Sequence, residues 1–385
     1  MERVKKTCAE LLRAGLDAAL YVTHENVAYL SGLCTPLPVT YPTETPLAYP
    51  LSLVLVNARE QRALLLAVEG LRDAASRQCF LPQSMFFAPG AELAAPSSGQ
   101  GYRETLGKAL ALAGVARPAT ALGVETRALP AGLQDALVAL GARSFADATP
   151  AVEEARRTKT PEEVVSLRAA MRLGDAAQNA LVRAAGEAGR TEFAVWAAIL
   201  QAVYEAAGEV VPVFGELVTG PRTNEVHYPG GPRARVIEPG DMGILDISMR
   251  VGGYWSDCCN TVVFGAAPTA EQKRYIVAAR ESFDAALATI RPGIRCSDVS
   301  DAIERVRERH GVGGPRYYGH QIGVTVNEHP KLIPGDHAVI QAGMVFCMEP
   351  GTYSGPGGAS GARFEKAVAV TETGAEILHT FPWGS

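Results

Sequence analysis

Residues 243–264, GILDISMRVGGYWSDCCNTVVF, decide how this chain folds. Two apolar runs rich in β-formers flank Gly252–Gly253, a pair suited to the tight turn of a β-hairpin. Folded about that turn, Asp246 and Asp257 would lie roughly opposite each other on adjacent strands, within reach of a common ion. A strand interior is a costly place for a bare carboxylate, so two of them there call for a partner.

Further along the chain, His320, Glu349 and Glu365 stand in similar glycine-punctuated apolar stretches. Burying four carboxylates together without cations would be prohibitive, and two divalent cations would match their formal charge. A lone Asp in such a stretch is an ordinary turn or cap residue. Five such residues in repeated contexts read as a two-metal hydrolase site. An oxygen-rich set with one imidazole favours Mn²⁺ or Co²⁺ and still admits Zn²⁺, whose structural sites prefer sulfur and nitrogen.

The contexts themselves repeat. Thr160, Pro161 and Glu163 make a capping box opening one helix, and Thr269 with Gln272 opens another. At a constant offset, Thr160, Glu162, Ala169, Ala170, Asp175, Ala176 and Ala177 meet Thr269, Glu271, Ala278, Ala279, Asp284, Ala285 and Ala286. Downstream, IEPGDMGILD ends in Asp246 and IQAGMVFCME ends in Glu349, and a second carboxylate follows each, at Asp257 and Glu365. The pattern predicts a duplication with pseudo-twofold symmetry that brings a carboxylate pair from each half to one centre.

The first half alternates helical and strand periodicity. A helix over Val4, Cys8, Leu11 and Leu12 stopping at Gly15, a strand at LDAALYV, a hairpin of LSLVLVN and RALLLAV, and later helix–strand alternation predict an α/β domain over 1–150, with the catalytic domain over 151–385. Five prolines within 35–50 fit neither helix nor sheet and read as an exposed connector. His24, His310, His337 and His379 read as surface or satisfied side chains, Trp196 as core, and GPGG at 355–358 as a turn.

Composition narrows the class. With 47% hydrophobic residues and a net charge of −5, the chain is a folded globular protein without the basic face that nucleic acid needs. Seven scattered cysteines with no CxxC pair suit a reducing compartment. MERVKKTC lacks a signal peptide's apolar run, and no apolar stretch approaches membrane-spanning length. These features predict a soluble cytoplasmic chain with no membrane partner.

Taken together, LDIS…GGYWSD, GHQIG, MEPG and RFE, with HYPG upstream and RTKTPEEVVSLRAA opening the second domain, resemble the "pita-bread" metallopeptidases, which include methionine aminopeptidases, aminopeptidases P, prolidases and creatinases. The likeness covers about 155–375, and the N-terminal half resembles the creatinase-like domain of prolidases and aminopeptidases P. The resemblance implies an α/β creatinase-like domain followed by an α+β pita-bread domain, and a homodimer. It also implies that Asp246 binds one metal and His320 the other, with Asp257 and Glu365 bridging. Glu349 would bind the His320-side ion and shuttle a proton, His227 would contact substrate near the scissile bond, and Arg363 would orient site carboxylates.

Two positions depart from the family pattern. Asn327 stands where a second histidine is usual, and it donates a hydrogen bond without carrying a proton. Lys331 stands where the prolidase branch often has an arginine for the substrate carboxylate, a cation without the bidentate fork. The resemblance implies hydrolysis of Xaa-Pro dipeptides. An aminopeptidase P acting on longer peptides, a creatinase-like C–N hydrolase and an inert binding module remain as alternatives. The intact ligand set weighs against the creatinase-like hydrolase, and metal analysis of the purified protein would separate the classes.

Overall fold

Gly252 and Gly253 both have positive φ, +57° and +85°, and close a two-residue turn that joins β8 (Met242–Val251) to β9 (Tyr254–Val263). Two left-handed residues twist the chain in the sense the flanking strands require, which is why the glycine pair sets this hairpin. The protein is described here by a computed structural model covering residues 1–34, 49–87, 100–115, 122–226 and 230–384. It divides into two compact units, Met1–Arg156 and Arg157–Ser385.

The first unit is a mixed six-stranded sheet. Its strands are β1 (Ala18–Tyr21), β2 (Ser52–Asn57), β3 (Arg62–Val68), β4 (Ser84–Phe87), β5 (Leu122–Val124) and β6 (Phe145–Asp147), in the order β4-β3-β2-β1-β5-β6. Helices α1 (Glu2–Arg13), α2 (His24–Ser31), α3 (Arg72–Gln78), α4 (Gln100–Leu112), α5 (Ala131–Ala139) and α6 (Thr149–Arg157) complete it. Along α1, Val4, Cys8 and Leu11 are buried, whereas Leu12 is exposed. The division falls a few residues beyond the expected 150 because α6 is fastened to this unit. The Tyr29 hydroxyl donates to the Ala155 carbonyl at 3.1 Å, and the Arg156 guanidinium to Asn26 at 2.6 Å. Most of the proline-rich stretch, 35–48, lies outside the described residues.

In the second unit the capping boxes at Thr160/Glu163 and Thr269/Gln272 open α7 (Pro161–Ala184) and α9 (Ala270–Thr289), each followed by a packed partner, α8 (Glu192–Ala207) and α10 (Cys296–His310). Strand β7 (Val213–Thr219) extends the first hairpin into the sheet β7-β8-β9. The second sheet is β11-β10-β12-β15-β16, built from β10 (Gly319–Gln321), β11 (Glu328–Lys331), β12 (Val345–Met348), β15 (Lys366–Val370) and β16 (Ala375–Ile377). A small hairpin, β13 (Gly351–Tyr353) and β14 (Gly361–Arg363), is joined through the GPGG turn, where Gly358 N–H donates to Gly355. A bridge between Cys259 and Glu365, with hydrogen bonds in both directions, sews the two sheets together.

Two buried polar contacts seat the site-bearing strands. Gln178 on α7 donates from Nε2 to the carbonyls of Leu245 and Cys258, gripping both strands of the hairpin from behind. Lys159 reaches Gln321 at 2.8 Å and Glu328 at 3.1 Å, almost wholly buried, and so fixes the strand pair that carries His320. Burial leaves these pairs no competing water, so losing one partner would strand the other.

Gly174 lets α7 approach that closely. A Cβ there would come within 2.7 Å of Ser256 Oγ, 2.8 Å of His379 Nε2 and 2.9 Å of Cys258 Sγ. Gly174→Ala should therefore destabilise the protein by about 1–3 kcal/mol despite its better helix propensity. Denaturant unfolding with an unchanged or raised midpoint would contradict that close fit.

Candidate metal centre

The hairpin register pairs Asp246 with Cys259 and Ser248 with Asp257. The two aspartates are therefore diagonal neighbours on one face, one step of the ladder apart. Ser248 occupies the place across from Asp257 and donates to its Oδ1 at 2.8 Å. From the other half, His320 on β10 stands opposite Cys347 on β12. Glu349 comes two residues after Cys347, and Glu365 immediately precedes β15, so the β12–β15 ladder brings the two glutamates to its next rung. Asp246, Asp257, His320 and Glu349 line a cavity of about 1150 Å³, and Glu365 is buried beside it.

Ligand atoms of His320, Glu349 and Glu365 lie within 4.8 Å of one another, as do those of Asp257, Cys347 and Glu365. Glu365 is common to both triplets. His320 Nδ1 donates to the Gln321 carbonyl at 2.9 Å, leaving Nε2 to face Glu349 at 3.4 Å and Asp257 at 3.5 Å. Asp246 belongs to neither triplet. Its Oδ2 takes a hydrogen bond of 2.6 Å from Arg363 Nη2, which also bonds Glu216, while Nη1 donates to the Tyr353 hydroxyl at 2.9 Å. Arg363 thus ties Asp246 to Glu216 and Tyr353.

Burial drives the electrostatics. It pushes the Glu365 and Asp246 carboxyls well above the usual carboxylate range, and Glu349 upward as well. Neighbouring carboxylates raise all three further, while Arg363 offsets part of the effect. Burial would lower the His320 imidazole, but its contact with Asp257 and the charge of Glu349 outweigh that and raise it to about 9. Both Glu365 oxygens are buried with no hydrogen-bond partner among the described residues. Two orphaned oxygens amid ionisable carboxylates and an imidazole nitrogen are a donor set that fits hard or borderline divalent cations.

Several pocket residues escaped the sequence reading. Glu216 lies opposite Asp246 on β7 and lines the cavity. The signal was present, since VFGELVT alternates Phe214, Glu216 and Val218 onto one face, but β7 was not recognised as a strand of this sheet. Cys347, Tyr317 and Tyr353 were also missed; Tyr317 lies three residues before His320. Of the expected substrate contacts, Asn327 and Lys331 do line the cavity. Asn327 Nδ2 donates to the Tyr317 hydroxyl at 2.6 Å, and Lys331 Nζ lies 5.5 Å from the centre of the Tyr317 ring. His227 lies outside the described residues. His310 pairs with Glu281 and His337 with Ser297, while buried His379 accepts from the Ala367 N–H.

Such a constellation, converging from two sheets on one cavity, defines a carboxylate-rich metallohydrolase-type site. The sequence profile of metallopeptidase family M24 matches residues 165–372, that of the creatinase/prolidase N-terminal domain matches 3–158, and the chain belongs to family M24. It is 25% identical to the Xaa-Pro dipeptidase of Pyrococcus horikoshii over 383 residues, covering 98% of this chain and 96% of that protein. Against the Xaa-Pro dipeptidase of Lactobacillus helveticus it is 28% identical over 239 residues, covering 59% of this chain and only 61% of that protein's length. The prolidase structure from Pyrococcus horikoshii OT3 superposes with a TM-score of 0.79 at 22% identity, covering 100% of this chain and 99% of that one. That likeness establishes the two-domain creatinase-like and pita-bread fold. Among the described residues no helix is long and apolar enough to cross a membrane.

The raised groups set a pH dependence. In the metal-free protein, Asp246, Glu349 and Glu365 hold protons above their usual range, so their ionisation costs stability as pH climbs beyond about 4.5. The His320 imidazolium contributes stability that is complete below 6.5 and is lost as pH passes through about 9. Both act in one direction, because the folded chain binds more protons than the unfolded one. The gap in Tm between metal-loaded and metal-free protein should widen from about pH 5 to pH 9. A gap that narrows over that range would contradict this account.

Proposed function

We propose that this chain is a dinuclear metal-dependent peptidase that cleaves Xaa-Pro dipeptides. The observation that carries the reading is the charge layout of one cavity. Asp246, Asp257, Glu349 and His320 line it together with the cation Lys331, and Glu365 is grouped with them just beneath the lining. A dipeptide is a zwitterion, and its carboxylate finds a counter-charge at Lys331. The names of the relatives support the same substrate class.

Asp246, Asp257, His320, Glu349 and Glu365 would hold the two ions, with Mn²⁺ or Co²⁺ preferred by an oxygen-rich set and Zn²⁺ admitted. When bound there, divalent ions supply Lewis acidity toward the carbonyl and make water a competent nucleophile. The chain's own groups do the rest. The Nδ1–H bond to Gln321 fixes the tautomer and orientation of His320. Arg363 holds Asp246 in place. Glu349, at the cavity surface, takes the proton of the attacking water and returns it to the departing proline nitrogen. That nitrogen belongs to a tertiary amide with no N–H of its own, so proton delivery matters more than N–H recognition. Seven free cysteines suit a cytoplasmic location, and the family likeness supports a homodimer.

The test is an assay of Ala-Pro, Met-Pro and a prolyl tripeptide with added Mn²⁺ or Co²⁺. Dipeptide hydrolysis should accompany about two bound ions per chain, vanish on chelation and return on reloading. Full activity in metal-free protein would overturn the reading.

Lys331 separates a dipeptidase from an aminopeptidase P. Lys331→Ala should cost about ten- to a hundred-fold in kcat/KM on Ala-Pro, and much less on Ala-Pro amide, whose C-terminus carries no charge. Equal losses on both substrates would assign Lys331 to the protein surface and favour the longer-peptide alternative.

A further inference from the structure

The pocket wall above the carboxylates carries a side chain whose hydrogen-bond arithmetic is incomplete. Tyr317 lines the cavity, half-buried, with its ring 6.2 Å centre to centre from the His320 imidazole. Its phenol oxygen accepts from Asn327 Nδ2 at 2.6 Å. A phenol oxygen engaged as acceptor still has one hydrogen to donate, and among the described residues no acceptor takes it. A phenol keeps its hydrogen at neutral pH, so Tyr317 is available as an O–H donor.

Its position in the cavity indicates what it donates to. Lys331 Nζ sits over the face of the same ring. In an Xaa-Pro dipeptide the scissile carbonyl carbon and the terminal carboxylate carbon are separated by one nitrogen and one Cα, a span of roughly 3 Å at proline's fixed φ. Because the Tyr317 ring neighbours both His320 and Lys331, a carboxylate at Lys331 and a carbonyl at the Glu349–His320 edge would bring the carbonyl oxygen beside Tyr317. We propose that Tyr317 is a catalytic residue whose hydroxyl, oriented by Asn327, donates a hydrogen bond to the scissile carbonyl oxygen as that oxygen gains negative charge. This rests on the Xaa-Pro dipeptidase reading and assigns it a residue. No proton leaves the phenol; the bond strengthens as the oxygen goes from carbonyl to alkoxide, and so it lowers the barrier more than it tightens binding.

Asn327 is then a positioning residue. By occupying the phenol oxygen as acceptor, its amide N–H turns the hydroxyl hydrogen toward the substrate. Aspartate has the same shape and only accepts, so Asn327→Asp would turn the phenol hydrogen back toward residue 327.

The experiment compares Tyr317→Phe, Asn327→Asp, Asn327→Ala and Tyr317→Phe/Asn327→Ala with the parent enzyme on Ala-Pro. Metal content and the affinity for a phosphinic Ala-Pro analogue, whose tetrahedral phosphorus bears the anionic oxygen, are measured alongside. Tyr317→Phe should lower kcat about a hundred-fold, leave KM within about two-fold, and weaken the phosphinate by a similar factor. Asn327→Asp should lose as much with its ions still bound, Asn327→Ala should lose less, and the double variant no more than Tyr317→Phe alone. Three results would overturn the proposal: Tyr317→Phe retaining parental kcat, a loss confined to KM, or Asn327→Asp behaving like the parent. If the parent, loaded with metal, fails to cleave Ala-Pro at all, the dipeptidase reading falls and takes this assignment with it. If the parent cleaves Ala-Pro and Tyr317→Phe is as fast, only the assignment falls.

Discussion

Mutual repulsion among the carboxylates of one cavity is the constraint around which the second unit is built. Asp246, Asp257, Glu349 and Glu365 approach one another from two sheets, with Glu216 beside them on a third strand. Nothing in the packing of apolar side chains would favour that. The fold offsets part of the repulsion with Arg363, shared between Asp246 and Glu216, and part with the His320 imidazole. Among the described residues it leaves Glu365 with no hydrogen-bond partner for either oxygen. An unsatisfied buried carboxylate is a strong sign of a site made for a cation, because the alternative is a desolvation penalty with no return.

The strands bear such charge because they are anchored from behind. Gln178 and Gly174 hold α7 against the back of the first hairpin, and Lys159 holds the β10–β11 pair through Gln321 and Glu328. The front face can then be polar and strained by like charges while the rear face carries the packing, as in the cluster that joins Leu173, Ala177 and Leu181 to Leu245, Ile247 and Cys258. Alternation along a strand makes this division possible, since neighbouring residues point to opposite faces.

How much of this was legible follows from the range of the forces involved. The hairpin of 242–263 and both capping boxes were readable because turn and cap chemistry is local and each uses a small menu of residues. Asp246, Asp257, His320, Glu349 and Glu365 stood out in the sequence because an ionisable group in an apolar stretch is conspicuous, and the fold brings them to or beside one cavity. The diagonal offset of Asp246 and Asp257 was open to counting from the turn, yet only the ladder itself settles it. Glu216 and Tyr317 were hidden for a different reason. Each becomes a site residue only through tertiary contact, Glu216 by pairing with the hairpin's outer edge and Tyr317 by meeting Asn327, and nothing in the local sequence announces either contact. The domain boundary drifted for the same reason, since α6 is tied back to the first unit by Tyr29 and Asn26.

The bridge between Cys259 and Glu365 is the seam where the two sheets of the second unit meet. Its backbone hydrogen bonds are made by the residue whose side chain stands at the centre of the carboxylate cluster. Structural joint and chemical centre are thus one amino acid, and the halves cannot drift apart without dragging that carboxylate with them. Neither half presents more than two of the four convergent carboxylates. Neither half alone could therefore assemble the set, and the imidazole enters from only one side.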